Sequence, residues 1–338
     1  MAQGRWFSIE SPWAGPSDAG VRGSPIAVIR LAASSDAIDG VLTNFGWARV
    51  DRGAIGLRVV RSGDEVLVAR SSLTCAFLMP VGAPVIVDAV VRALESLGWA
   101  RALEVDVRER FPEARTLAEA CALDAIARAP SPRAIDAILR QRDLWDREPG
   151  APLAPSPSPL DHLLTPPSII AVGRPNIGKS SLLNAMARRP IAIASDEPGT
   201  TRDHVGAEVE CDGLVVRWID TPGIPGPGAP TVGPIDRIAQ DRARALVAGA
   251  DLLLVCADAR AGAIAQEELP PLAPRTKVVR IGLRADLGAP PSGVDVLTSA
   301  RTGLGLPELA RAIRCALVAD TELATRSRWR FHPQLPGV

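Results

Sequence analysis

A glycine-rich octapeptide, residues 173–180, has the residue types and spacing most typical of phosphate chemistry. It reads G-R-P-N-I-G-K-S and matches the pattern G-x-x-x-x-G-K-S. An apolar run, 168–172, precedes it, and a run with helical character, 181–188, follows it. This order places backbone N–H groups and a helix N-terminus around a phosphate. We therefore predict a P-loop in which Lys179 bridges the β- and γ-phosphates and Ser180 binds Mg²⁺.

Lysine usage supports this interpretation. The chain has 38 basic residues, but only Lys179 and Lys277 are lysines. A P-loop has room for a compact ammonium group but not for a planar guanidinium. The retained Lys179 therefore favours a functional loop over a chance glycine turn.

Two further motifs follow at the spacing that a nucleotide switch requires. Residues 198–203 read P-G-T-T-R-D, and Thr201 is the better placed of the two threonines to sense a γ-phosphate and Mg²⁺. Residues 220–223 read D-T-P-G at the end of an apolar run. Here Asp220 would hold Mg²⁺ through water, and the N–H of Gly223 would meet the γ-phosphate.

A base-reading motif is present in altered form at residues 283–286, which read L-R-A-D instead of the usual N-K-x-D. Asp286 can accept hydrogen bonds from guanine N1–H and the exocyclic amine, and the stem of Arg284 can cover the base. Leu283 cannot make the polar contact of an asparagine. Ser299, Ala300 and Arg301 lie where a loop would support the base through a backbone N–H. The alternative is that Asp286 caps a helix or turn.

Composition limits the other functional classes. The net charge is +0, which gives no whole-protein case for nucleic-acid binding. The five cysteines and three histidines are too dispersed for a metal site, and the odd cysteine count favours free thiols in a reducing compartment. The chain contains neither an apolar run of membrane-spanning length nor a signal-peptide core. We expect a cytoplasmic protein without a membrane partner.

Periodicity divides the chain into four parts. Residues 1–146 predict a small α+β domain that runs into helices, with helical stretches at 116–129 and 132–145. Residues 147–167 predict a proline-rich extended linker. Residues 168–319 alternate strand, loop and helix, which is typical of an α/β doubly wound sheet, mostly parallel, with one antiparallel strand at the Asp212-Gly213 hairpin. Residues 320–338 read as a tail.

The three motifs together resemble those of the TrmE-Era-EngA-like GTPases, and within them the TrmE branch. The wording G-R-P-N-x-G-K-S, P-G-T-T-R-D and D-T-P-G is that family's, and it covers residues 168–319. A fainter similarity links residues 26–31 and 117–141 to the TrmE N-terminal and helical domains. The flanking helical sections are shorter than in the family, and its C-terminal cysteine motif does not occur in these 338 residues.

The resemblance implies a Mg²⁺-dependent GTPase that cycles between GTP and GDP and is linked to tRNA modification. It implies that Asn176 helps to hold K⁺ and that Asp236 takes the place of the family's water-positioning glutamate. The alternatives are that Asn176 only shapes the loop and that Asp236 only caps a helix. The resemblance also implies formyl-folate at the N-terminal domain and a homodimer through the N-terminal or GTPase domains, with tRNA or a tRNA-modifying protein as partner.

The predicted functional residues fall into three groups. Lys179, Thr201 and Asp236 are predicted to be catalytic. Ser180, Thr201 and Asp220 are predicted to bind Mg²⁺, and Asn176 to bind K⁺. The residues predicted to bind nucleotide are Gly173, Asn176, Ile177, Gly178, Lys179, Ser180, Ser181, Asp220, Gly223, Arg284, Asp286, Ser299, Ala300 and Arg301.

Two other functions are left open by the sequence. One is a nucleotide-binding scaffold with little hydrolysis, which Leu283 would mark. The other is an Era-type factor that binds RNA or the ribosome, for which residues 326–331, R-S-R-W-R-F, offer interleaved basic and aromatic side chains. A solvated tail is the simpler interpretation of that segment.

Overall fold

The structure, a computed structural model, describes residues 5–9, 26–45, 51–59, 65–102, 105–188, 206–220, 246–258, 272–288 and 293–337. The chain divides into two compact units, residues 1–110 and 111–338. Within the described ranges, no helix combines the length and apolar character needed to cross a membrane.

The first unit is an α+β domain built on a six-stranded sheet. Its strands are β1 (Trp6–Ile9), β2 (Ile29–Ala32), β3 (Ile55–Val59), β4 (Glu65–Arg70), β5 (Cys75–Pro80) and β6 (Ala100–Arg101), in the order β3-β4-β5-β2-β1-β6. The helices are α1 (Ser35–Asn44), α2 (Pro84–Ser96) and the short α3 (Val107–Arg110). Alternate residues of β4 and β5 enter one core with the apolar stripes of α1 and α2.

The second unit contains the predicted doubly wound sheet. Its strands are β7 (Ser168–Val172), β8 (Gly206–Cys211), β9 (Leu214–Asp220), β10 (Leu252–Ala257), β11 (Lys277–Gly282) and β12 (Val296–Leu297). They lie in the order β12-β11-β10-β7-β9-β8, and every pairing is parallel except that of β8 with β9. The carboxyl ends of β7, β9, β10 and β11 therefore meet along one edge, where such sheets bind ligands.

The β8–β9 hairpin confirms the turn expected at Asp212-Gly213. Asp212 has φ 49° and Gly213 has φ 80°, and Cys211 pairs with Leu214 across the turn. Two successive positive φ values define the type I′ turn that matches the right-handed twist of the strands.

Helices of the second unit pack around this sheet. They are α4 (Leu117–Arg128), α5 (Pro132–Arg147), α6 (Lys179–Ala187), α7 (Leu306–Leu317) and α8 (Asp320–Leu323), with a 3₁₀ turn at Pro159–Leu163. Val247 shares a core with Ile170, Val172, Leu253 and Val255 on one face of the sheet. Helix α6 contacts β8 and β9. The predicted helices at 116–129 and 132–145 match α4 and α5 closely, and the hydroxyls of Thr116 and Ser131 cap their N-termini.

The proline-rich segment and the C-terminal segment differ from their expected roles as linker and tail. Leu160 and Leu163 of the 3₁₀ turn are buried, and so are Trp329, Phe331 and Leu335. Trp329 donates from its backbone N–H to Gln141 at 2.7 Å and from its indole to Asp161 at 2.7 Å. The aromatic residues of segment 326–331 are thus buried, so the segment is not a solvated tail and its rings are not open for stacking.

These contacts also explain why the boundary between the two units lies after residue 110 and not after residue 146. Helices α4 and α5 belong to the second unit, whereas the sequence placed them with the first, up to residue 146. The indole of Trp145 on α5 donates to the carbonyl of Trp329 at 2.9 Å, and Arg328 stacks on the Trp145 ring at 4.6 Å. The helices are assigned by burial against residues about 190 positions away, which local periodicity does not reveal.

Candidate nucleotide-binding site

The loop between β7 and α6 has the geometry of a P-loop. Strand β7 is buried along its whole length, and α6 begins at Lys179 directly after Gly178, whose φ is 104°. A Cβ at Gly173 would lie 2.5 Å from Ile177 Cδ1 and 2.8 Å from the carbonyl oxygen of Cys256. These two glycines are needed for different reasons, since Gly178 supplies a left-handed turn and Gly173 permits close approach of the neighbouring strand.

Lys179 is buried at the base of this loop, with 7% of its surface exposed. Its ammonium group donates to the carbonyl oxygens of Gly173 at 3.2 Å and Arg174 at 3.0 Å. Burial lowers the pKa of Lys179, and the nearby Asp220 carboxylate partly opposes that shift. The ammonium is held within the loop by two neutral acceptors, so anionic phosphate oxygens would be stronger partners for it.

Ser180 and Asp220 come together although 40 residues separate them. The Ser180 hydroxyl donates to Asp220 Oδ2 at 2.6 Å. Asp220 is 2% exposed, and its Oδ1 has no hydrogen-bond partner among the described residues. An unpaired buried carboxylate oxygen beside a serine hydroxyl is a donor set that suits Mg²⁺, which prefers hard oxygen ligands.

Asp286 lies in the loop after β11 and is fixed from both sides. Its Oδ1 accepts the Ser299 hydroxyl at 2.5 Å, and its Oδ2 accepts Arg301 Nε at 2.8 Å. The Ser299 hydrogen bond, followed by that of Arg301, holds the pKa of Asp286 below its usual range. The carboxylate is therefore ionised at neutral pH and oriented, as a group that accepts two parallel N–H donors must be.

Arg284 connects the base-reading loop to the P-loop. It has φ 54°, and its Nη2 donates to the carbonyl oxygen of Asn176, which itself has φ 59°. Its Nη1 lies 3.5 Å from the Asp258 carboxylate, whose side chain is 5% exposed. Sequence reasoning missed Asp258. The signal that could have found it is its place directly after β10, at the carboxyl edge of the sheet.

A cavity of about 210 Å³ lies between the P-loop side and the loops after β11 and β12. Its lining includes Ile177, Gly178, Ser181, Leu283, Arg284, Asp286, Ala300 and Arg301. The structure thus brings together the sequence-predicted phosphate, Mg²⁺ and base residues. Thr201, Gly223 and Asp236 lie outside the described residues, and so does Ile224, which follows the D-T-P-G motif.

Comparison with known proteins agrees with this geometry. A family described as 50S ribosome-binding GTPase matches residues 168–280. The tRNA modification GTPase MnmE of Acidiphilium cryptum is 38% identical over 154 residues, which cover 46% of this chain and 34% of that protein. MnmE of Rhizobium meliloti is 38% identical over 168 residues, covering 48% of this chain and 37% of that protein.

The chain thus spans little more than a third of the length of the curated relatives it matches. Among solved structures, Era of Aquifex aeolicus bound to GDP·AlF₄⁻ is 25% identical with a TM-score of 0.38, over 44% of this chain and 56% of that chain. Over residues 168–280 the chain is thus similar to P-loop GTPases, both in motif order and in sequence.

Proposed function

We propose that the protein is a Mg²⁺-dependent GTPase that hydrolyses GTP to GDP and phosphate as a molecular switch. The observation that carries the proposal is the convergence of three groups at one edge of the sheet. These groups are the buried Lys179, the Ser180–Asp220 pair and the doubly anchored Asp286. Their chemistry matches the phosphates, the metal and the base of one nucleotide.

Hydrolysis transfers the γ-phosphoryl group to water. The water oxygen bonds to the γ-phosphorus, the bond to the β–γ bridging oxygen breaks, and GDP leaves with the electron pair. Lys179 would exchange its two carbonyl partners for β- and γ-phosphate oxygens and so offset charge there. Ser180 and Asp220 would hold Mg²⁺, which neutralises phosphate charge when bound. Thr201 would sense the γ-phosphate, and Gly223 would donate its N–H to it.

Water positioning requires a residue other than the one after D-T-P-G, because Ile224 has no polar side chain. We assign this role to Asp236 by its match to the family's acidic position. Asn176 would hold K⁺, whose charge would lie against the phosphates. Asn176 lies within the P-loop, two residues before Gly178, where its side chain is exposed.

Phosphate release by the purified chain tests the main proposal. We expect turnover with GTP and Mg²⁺, little with ATP, and loss on chelation by EDTA. Nucleotide binding without turnover under all these conditions would favour a nucleotide-binding scaffold instead. This is the second candidate function, because the apolar Leu283 lines the base cavity.

The cation assignment has its own test at constant ionic strength. Turnover is compared in K⁺ and Na⁺ for the wild type, Asn176→Ala and Asp236→Ala. We expect the wild type to prefer K⁺, Asn176→Ala to lose that preference, and Asp236→Ala to be slow in both salts while still binding GTP. Equal wild-type rates in the two salts would remove K⁺ from the proposal.

A link to tRNA modification, with tRNA or a tRNA-modifying protein as partner, is proposed because the matched relatives bear the name tRNA modification GTPase. Gel-shift titration with bulk tRNA tests it. The same proposal includes a cytoplasmic location, supported by five free cysteines. We also propose that the protein forms a homodimer, which sedimentation in the presence of GTP tests. We further propose that the first unit binds formyl-folate, which calorimetric titration tests.

A further inference from the structure

At position 283 the base cavity of this chain has an apolar leucine, where a fully polar purine site would have a hydrogen-bonding side chain. This residue follows β11 directly, is 4% exposed and lines the cavity of about 210 Å³ that also contains Asp286. The inference below rests on the proposed function, because it takes guanine as the occupant of this cavity.

One edge of the base has a well-defined partner. Each carboxylate oxygen of Asp286 already accepts one hydrogen bond, from Ser299 or Arg301, and has a second lone pair left. Two parallel acceptors are the complement of guanine N1–H and the exocyclic amine. The Watson–Crick edge of guanine is thereby read by an oriented charge.

The opposite, imidazole edge of guanine presents N7, which is an acceptor and needs a donor. The Leu283 side chain has none. Two backbone donors beside it are already engaged: the N–H of Leu283 bonds to Ala257 O at 2.7 Å, and the N–H of Ala285 bonds to Thr298 O at 3.0 Å. Arg284 directs its guanidinium to Asn176 O and to the Asp258 carboxylate.

Arg284 also explains how the cavity keeps its shape without a polar side chain at position 283. Its contact with Asn176 O ties the base loop to the P-loop, and its Nε passes 3.5 Å from the position a Cβ would take on Gly178. The nearly buried Asp258 sets the direction of the guanidinium. A loop held in this way does not depend on an amide at position 283.

We propose that the site recognises guanine by its Watson–Crick edge alone and does not read N7. It would therefore accept guanine nucleotides in which N7 is replaced by C–H, the 7-deazaguanine class, as well as it accepts GTP or GDP. Removing the exocyclic amine, as in inosine nucleotides, would by contrast weaken binding, because Asp286 then loses one donor.

Calorimetric titration of the full chain with GDP, 7-deaza-GDP and IDP tests the proposal. For the wild type we expect 7-deaza-GDP to bind within about two-fold of GDP and IDP to bind roughly ten-fold or more weakly. Leu283→Asn introduces a donor and is expected to favour GDP over 7-deaza-GDP by about five-fold. The matched apolar variant Leu283→Met keeps the wild-type ratio.

Wild-type binding of 7-deaza-GDP ten-fold weaker than that of GDP would overturn the inference while leaving the proposed GTPase function intact. Absence of binding by both GDP and GTP would instead overturn the proposed function. The wild-type comparison uses the natural chain, so it decides the question even if Leu283→Asn does not fold.

Discussion

Replacement of Trp329 by alanine should destabilise the second unit by several kcal/mol. The side chain is 1% exposed, and an aromatic residue of this kind buries 150–250 Å², about 4–6 kcal/mol at 25 cal/mol per Å². Measured truncations of buried Phe and Trp cost about 3–5 kcal/mol. The substitution also removes the indole donor to Asp161, whose other oxygen accepts the Ser158 N–H at the start of the 3₁₀ turn. We expect a loss of about 3–5 kcal/mol.

Thermal unfolding followed by far-UV circular dichroism measures this loss. At about 2–4 °C per kcal/mol for a unit of this size, Trp329→Ala should lower Tm by about 6–20 °C. Trp329→Phe keeps most of the buried area and should cost only about 1–2 kcal/mol, mainly from the lost hydrogen bond. Arg326→Ala, at an exposed position three residues away, is the control and should leave Tm unchanged. If the Tm of Trp329→Ala equals that of Arg326→Ala, the C-terminal segment does not stabilise this unit.

Three further outcomes follow from the site and the thiols. Lys179→Ala should lower GTP affinity by at least about 100-fold without loss of the fold, measured by calorimetry and circular dichroism, because it removes a charge-assisted partner of the phosphates. Asp286→Asn should shift preference from GTP toward xanthosine triphosphate, since the amide presents a donor as well as an acceptor; unchanged GTP affinity would contradict base reading. A thiol reagent at pH 8 should label the half-buried Cys75 and Cys315 in native protein and all five thiols only in denaturant, because burial raises the pKa of Cys211 to about 12.

The sequence predicted the sheet of the second unit well because its signals are local. Apolar runs mark β7 and β10, and Asp212-Gly213 marks the hairpin whose two positive φ values the structure contains. The phosphate loop was equally readable, because its glycines are required by geometry at fixed spacing. The pairing of Ser180 with Asp220 follows once both motifs are placed at the carboxyl edge of one sheet.

The burial of the proline-rich and C-terminal segments could not be predicted, because it depends on contacts between segments that are distant in the chain. Seven prolines in residues 148–167 hide the buried Leu160 and Leu163 from any periodicity. Gln141 contacts Ser327 and Trp329 from 186 and 188 residues away, so the burial of that helix face is invisible locally. Asp258 belongs to no motif, and its partner Arg284 lies 26 residues further along the chain.

Asp212 shows how the helices before the phosphate loop are joined to the sheet. Its carboxylate accepts Arg133 of α5 at 3.2 Å and Arg314 of α7 at 2.9 Å. Arg133 and Asp212 are each about a third exposed, so their ion pair contributes little. Arg314 is 3% exposed, and a buried charge must be paired, so its bonds to Asp212 and Asp320 are the stronger constraint. Strand β9 runs from this turn to Asp220. The closing helix α7, more than α5, therefore fixes the strand that carries the proposed Mg²⁺ ligand.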